Sequence, residues 1–206
     1  MTPVLLFLAA AAAPTLEIKV DQVGYLPEAA KVAFVVSKAA ATSFRVRRTG
    51  DDAVAFEGTL APPVADGDSG DAVRAADFSG LRREGSYLLD VPGVGRSFAF
   101  AIGPDVFVRP FVLALRSYYG QRCGTAVDFK HPHHRPSGAD DQPEPWPGLL
   151  SGGPNRSRQD AAMQKLPDLP PARMYVDDEA SYASNENAIN WNAPLVFLLA
   201  GALPPE

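Results

Sequence analysis

The hydrophobic period changes at one junction, and that change divides the chain. Before Gly103-Pro104 apolar residues alternate, and after it they recur at helical spacing. Phe98, Phe100 and Ile102 alternate with Ser97, Ala99 and Ala101, and Tyr87, Leu89 and Val91 alternate in the same way. Successive strand side chains point to opposite faces, so this is the pattern of a strand with one buried face. From Asp105 onward, Val108, Phe111, Val112, Leu115 and Tyr119 fall along one side of a helix. The chain therefore carries an all-β part and a helical part, joined at a Gly-Pro pair that interrupts regular structure.

Seven candidate strands precede the junction: 16–20, 32–37, 44–48, 54–60, 73–77, 86–91 and 97–102. Turn residues separate them at Gly50-Asp51-Asp52, at Ala65-Asp66-Gly67-Asp68 and at Pro92-Gly93. That density of short strands predicts an immunoglobulin-like sandwich over residues 16–103. Leu81 to Tyr87, with Gly85 just before the strand, fits a tyrosine corner. Cys123 is the single cysteine, so the fold rests on no internal disulfide and no Cys-Trp-Cys pattern exists. Asp66, Asp68 and Asp71 alternate as in a calcium loop, but no Glu closes the spacing, and a solvated turn is the plainer reading. No cofactor is implied.

After the junction, Asp105 can cap a helix of about four turns that tolerates Pro110 in its first turn. Gly124 to Pro171 then lacks any period, and irregular stretches of that length are either functional or disordered. The last apolar run, Ala188 to Leu203, predicts a second helix capped by Ser184 or Asn185, with Glu186 in its first turn. Trp191, Ile189, Val196, Phe197, Leu199 and Ala200 should face a core, and Pro194 should kink or restart the helix. A 206-residue chain can bury one good core, and the sandwich can supply it. The helices are then expected to pack on the sandwich or on each other and to leave apolar surface exposed.

Val4 to Ala13 is an apolar, Ala-rich run like the core of a secretory signal peptide. Residues 1–14 are accordingly read as a leader and the chain as secreted or periplasmic; a mis-assigned start or a flexible leader would look the same. The run is too short to span a bilayer, so no membrane partner is expected. A net charge of -5 with no basic patch argues against nucleic acid, and a monomer is expected.

Chemistry concentrates in Tyr175 to Pro194. Asp177, Asp178, Glu179 and Glu186 gather there with Tyr175, Tyr182 and Trp191. Aromatic faces stack on sugar rings and carboxyl groups move protons, so the combination suits glycoside cleavage. An acidic start to a helix accounts for the same carboxylates. His131, His133 and His134 near Asp140 and Asp141 could hold zinc, contact a sugar or lie exposed in a loop. Arg135 could pair with either aspartate, and Trp146 between two prolines could stack or pack. Gly152 to Asn155 lacks the Lys of a phosphate loop and reads as a turn.

Three blocks resemble family 9 glycoside hydrolases, the inverting cellulases and their relatives. Ile18 to Val36 and Tyr87 to Phe107 look like the N-terminal immunoglobulin-like domain that many of them carry. His131 to Asp140, continuing to Pro145–Asn155, resembles part of their first signature. Tyr175, Asp177, Tyr182, Glu186, Ala188, Asn192 and Ala193 fall in register with the second signature. The resemblance implies Glu186 as general acid, Asp177 as the acidic residue that orders the site, and His133 and Arg135 as holders of substrate hydroxyls. It makes Tyr182 and Trp146 aromatic walls, and the substrate a β-glucan polysaccharide or oligosaccharide such as cellulose or cellodextrins.

The same resemblance implies an all-β immunoglobulin-like sandwich followed by a fragment of an all-α (α/α)6 barrel over 105–206. The family's catalytic base lies in an aspartate-rich segment of the kind GGWxDAGD, and this sequence contains none. The similarity jumps from Tyr118–Phe129 to blocks from near the family's C-terminus, so an internal deletion near 128–133 is expected, and with it a chain inactive or nearly so. The alternative is a non-catalytic remnant, or an accessory sandwich that docks to a catalytic domain or weakly binds carbohydrate.

Overall fold

The computed structural model describes residues 13–120, 148–178 and 180–204. They separate into two compact units: one of residues up to 64 with 72–102, and one of 65–71 with 103 onward. The leader, Cys123, the three histidines, Arg135 and Trp146 lie outside the described residues, as does Glu179.

The strands form two antiparallel sheets, and all of their residues but 65, 66 and 71 belong to the first unit. The first sheet has the order β1 (Ile18–Lys19), β2 (Val32–Val35), β6 (Asp71–Asp77), β5 (Val64–Asp66). The second runs β4 (Val54–Thr59), β3 (Ser43–Arg48), β7 (Gly85–Val91), β8 (Gly95–Arg96), with β9 (Phe100–Ile102) also on β7. The seven expected strands are all present within a few residues. The two short ones, β5 and β8, were not foreseen, because two or three residues carry no period. Alternation decides the faces as expected: Tyr87, Leu89 and Val91 are fully buried, as are Val46 and Ala33. These side chains join one apolar cluster with Phe44, Phe78, Phe100 and Ile102.

The last expected strand, 97–102, is regular only from Phe100, because Ser97 turns inward. Its hydroxyl accepts the Leu89 N–H at 2.9 Å and donates to the Phe98 carbonyl at 2.6 Å, replacing ladder bonds. The tyrosine corner forms: the Tyr87 hydroxyl donates to the Arg83 carbonyl at 2.9 Å. Gly85, at φ +153°, leaves room for that hydroxyl, since a Cβ there would sit 3.1 Å from it. Lys31 is fully buried, with its ammonium donating to the carbonyls of Pro27 and Ala29 at 2.7 Å each. Burial pushes its pKa below the usual lysine range.

In the second unit α1 (Val108–Gly120) and α3 (Ile189–Gly201) pack against each other, and the single turn α2 (Tyr182–Asn185) precedes α3. As expected, these helices pack on each other and leave apolar surface exposed, but the expectation that the apolar residues of α3 face a core needs correction. The apolar stripe of α1 is exposed: Val108, Val112, Leu115 and Tyr119 are 38–46% accessible. The buried side is the small one, Ala114 and Ser117, where Gly148 lies so close that a Cβ would meet the Leu113 carbonyl carbon at 2.3 Å. Likewise Phe197 and Leu198 of α3 are 79% and 68% exposed, Ala200 is exposed, and Val196, Leu199 and Trp191 are only partly buried. Periodicity finds the apolar side of a helix but not whether anything covers it. Pro194 does not restart α3, whose helix from Ile189 to Gly201 contains it. The bond it cannot donate falls on an exposed stretch, where its loss is least costly. No helix among the described residues is long and apolar enough to cross a membrane.

Candidate active site

Glu186 does not open a helix. It is extended, at φ -65° and ψ 138°, between α2 and α3, and Ala188 is the residue that starts α3. The expected caps are engaged elsewhere. The Ser184 hydroxyl accepts the Val176 N–H and lies within hydrogen-bond distance of the Val176 carbonyl, both at 3.2 Å. The Asn185 amide accepts the Tyr175 hydroxyl at 2.9 Å and donates to the Asp177 carboxylate at 3.2 Å. The Ala188 carbonyl instead takes the N–H groups of Trp191 and Asn192 and the Asn192 side chain.

Asp177 and Glu186 therefore come to one place through Asn185, which bonds the first and immediately precedes the second. The backbone on both sides of Asn185 is clamped: Gly152 donates its N–H to the Glu186 carbonyl at 2.9 Å, and Gly153 donates to the Ser184 carbonyl at 2.8 Å. Residues 152–155, expected as a plain turn, are that clamp. Gly152 lies against the Trp191 ring, where a Cβ would be 3.0 Å from it, and Gly153 needs its φ of +84°. Asn155 completes the join, donating to the Ala183 carbonyl at 2.9 Å and receiving the Ser157 N–H at 2.8 Å. The Glu186 side chain is exposed and takes no hydrogen bond among the described residues, so its carboxyl is open to a ligand. Tyr182 is 56% exposed, and its hydroxyl is tied to the Gln159 carbonyl at 2.9 Å. An anchored hydroxyl with an open ring is the arrangement a sugar face can stack on.

Sequence reasoning missed Asp160. It is 4% exposed, yet its carboxylate accepts the N–H of Met163 at 2.7 Å and of Ala183 at 2.9 Å, and the Ser181 hydroxyl at 3.2 Å. Burial raises its pKa, but these donors outweigh burial and hold the carboxyl below the usual carboxylate range. A lone aspartate in an irregular stretch carries no sequence signal for such a role. Asn192, 2% exposed, was read only as a signature position; it accepts the Leu150 N–H at 2.9 Å and so ties 148–153 to α3.

Asp66 caps its own turn by accepting the Ser69 N–H at 3.0 Å, and Asp71 pairs with Arg173 at 2.6 Å. Among the described residues no group of three or more His, Cys, Asp or Glu could hold a metal ion. Of the expected site residues, Asp177, Tyr182 and Glu186 are described and lie in one connected segment; His133, Arg135 and Trp146 are outside the described residues.

Comparison with known proteins points the same way from both ends of the chain. Residues 13–96 match the cellulase N-terminal ig-like domain, and residues 124–199 match glycosyl hydrolase family 9. A cellodextrinase of Butyrivibrio fibrisolvens is 52% identical over 77 residues, which are 36% of this chain and 14% of that protein. A xyloglucan-specific endo-β-1,4-glucanase of Bacteroides ovatus is 59% identical over 69 residues, 34% of this chain and 11% of that one. A metagenome-derived family 9 endoglucanase structure superposes at a TM-score of 0.50 with 40% identity, covering 55% of this chain and 22% of its own. The matched stretches thus span less than a quarter of each relative's length. With an immunoglobulin-like sandwich in its first part and the Asp177–Glu186 segment in its second, the chain is similar to glycoside hydrolase family 9 enzymes that carry an N-terminal immunoglobulin-like domain.

Proposed function

We propose that residues 148–193 form the acid half of an inverting β-1,4-glucan hydrolase site. Glu186 is its general acid, protonating the leaving glycosidic oxygen. Asp177, held by Asn185, orders the site, and Tyr182 is an aromatic wall. His133 and Arg135 hold substrate hydroxyls, with Trp146 as a second wall. The observation that carries this reading is the pairing of an open Glu186 carboxyl with a backbone fixed on both sides by Gly152 and Gly153. Inversion requires an opposed carboxylate about 6.5–9.5 Å from the acid to activate water. The sequence has no aspartate-rich segment to supply it, so this chain by itself turns over little or no substrate. The substrate is cellulose, cellodextrins or another β-glucan, a reading that the cellodextrinase and xyloglucan endoglucanase among the relatives support.

The helical part is read as a fragment of an (α/α)6 barrel, which the exposed stripe of α1 supports: such a face is made to be covered. The domain limits 16–103 and 105–206, the 1–14 leader and export to the periplasm or outside belong to the same reading. The self-contained core of the first unit favours a second role, an accessory sandwich that docks to a catalytic domain or weakly binds carbohydrate.

Reducing-sugar release from soluble β-glucan separates these. The chain should release no more than its Glu186→Gln variant. Release that disappears in Glu186→Gln would make the chain an active hydrolase and overturn its inactivity. Release that survives the substitution would remove Glu186 as the acid.

A further inference from the structure

We propose that Asp160 is the positioning residue for the Asp177–Glu186 pair; this rests on the reading of Glu186 as the acid. The reason begins with α2, which is only four residues long. A single turn cannot sustain itself, and its first N–H groups have no partners within the helix. Ser181 stands at its N-cap but makes no side-chain cap bond. The cap comes from far upstream instead: one oxygen of Asp160 accepts both the Ala183 N–H and the Ser181 hydroxyl. Its other oxygen accepts the Met163 N–H, and its own carbonyl accepts the Gln164 N–H at 3.1 Å. One buried carboxylate therefore ends two turns at once and locks them together. No lysine or arginine pairs with it among the described residues, so the N–H and O–H donors alone stabilise the charge.

From this anchor the bonds run to both carboxylates. The Ser181 and Ser184 hydroxyls are 2.7 Å apart; with the Ser181 proton on Asp160, the single Ser184 proton goes to Ser181 or to the Val176 carbonyl, and in both cases Ser184 accepts the Val176 N–H, next to Asp177. At its other end α2 delivers Asn185, which holds Asp177, and then Glu186. Asp160 touches neither the acid nor a substrate position. It sets the turn from which both carboxylates are hung, and a displacement of about an ångström at such a site can cost ~100-fold in rate.

The test is made on the full chain by NMR, using Asp160→Asn. The variant keeps size but replaces one acceptor oxygen with an NH2 that opposes either the Met163 or the Ala183 N–H. The readout is the side-chain amide proton pair of Asn185, which reports its bonds to Tyr175 and Asp177. We expect that pair to collapse toward free-asparagine shifts. Backbone amides at 183–186 and 152–153 should exchange at least ~10-fold faster, while α3 amides at 195–200 keep their protection. An unmoved Asn185 pair in a folded variant would overturn the proposal, and so would an even loss of protection across the whole second unit. Should Asp160→Asn not fold, Ser181→Ala, which removes only the hydroxyl link, should still shift the Asn185 pair; no shift there also overturns it. The two failures stay separable, because hydrolysis that survives Glu186→Gln removes the acid assignment and leaves the Asn185 signal unaffected.

Discussion

Among the described residues, the buried side chains of the first unit are almost all apolar, and most of those in the second are polar. Fifteen buried apolar residues form one cluster between the sheets, with Lys31 and Ser97 the buried polar exceptions among the described residues. Among the described residues, the second unit buries Ala114, Ala162, Met163 and Met174 of its apolar residues, against Ser117, Asp160, Ser181, Ser184 and Asn192. Apolar burial is non-directional and sums over many contacts, so the sandwich tolerates small displacements. Hydrogen bonds are directional and strengthen one another at low local dielectric, so a satisfied polar network specifies one geometry and fails where one member is lost. The segment bearing Glu186 is built in the second way, which is how a site is held to a defined geometry.

The contrast can be broken at either end. Phe78 is fully buried between Tyr25, at 5.2 Å, and Phe100, at 5.4 Å between ring centroids. Phe78→Ala should lower sandwich stability by ~3–5 kcal/mol in urea unfolding. A cost under ~1 kcal/mol would mean the cluster is not the source of that unit's stability. Asn192→Ala should cost ~0.5–1.5 kcal/mol, confined to the second unit, by removing the buried amide that accepts the Leu150 N–H. Amide exchange at Leu150 should report it, and equal loss across 85–91 would erase the distinction between the units.

The smallest effect is one of pH. The folded pKa of Asp160 is depressed, so its contribution is complete above the unfolded aspartate value of ~3.9 and fades as pH falls through the lower folded value. Lowering pH from about 5 to about 3 should loosen 160–163 and 181–184 before β3 and β7, followed by NMR peak intensities. Asp160→Asn should remove that difference, and a simultaneous loss in both units would count against it.

Much of the fold was legible residue by residue. Alternation at Tyr87, Leu89 and Val91 named their buried face, and the Gly85–Tyr87 spacing named the corner that forms. The helices were legible as elements but not as surfaces, since the stripe from Val108 to Tyr119 is apolar whether or not anything packs on it. In the site, Glu186, Asp177 and Tyr182 stood out by type and spacing. Asp160 and the Gly152–Gly153 clamp did not, because their roles depend on which distant donors they meet.

The sequence by itself determined the two periods, the junction between them and the family signature, all of which reside in near neighbours along the chain. Only the tertiary structure decided that Glu186 is extended rather than helical, that α1 buries its small side, and that one aspartate from an irregular stretch caps the turn before Glu186. The physical reason is one of competition. Ser184 and Asn185 have the chemistry of helix caps, but a cap bond is made only if no better partner is nearby. Val176, Asp177 and Tyr175 are those partners, brought there by the folded chain.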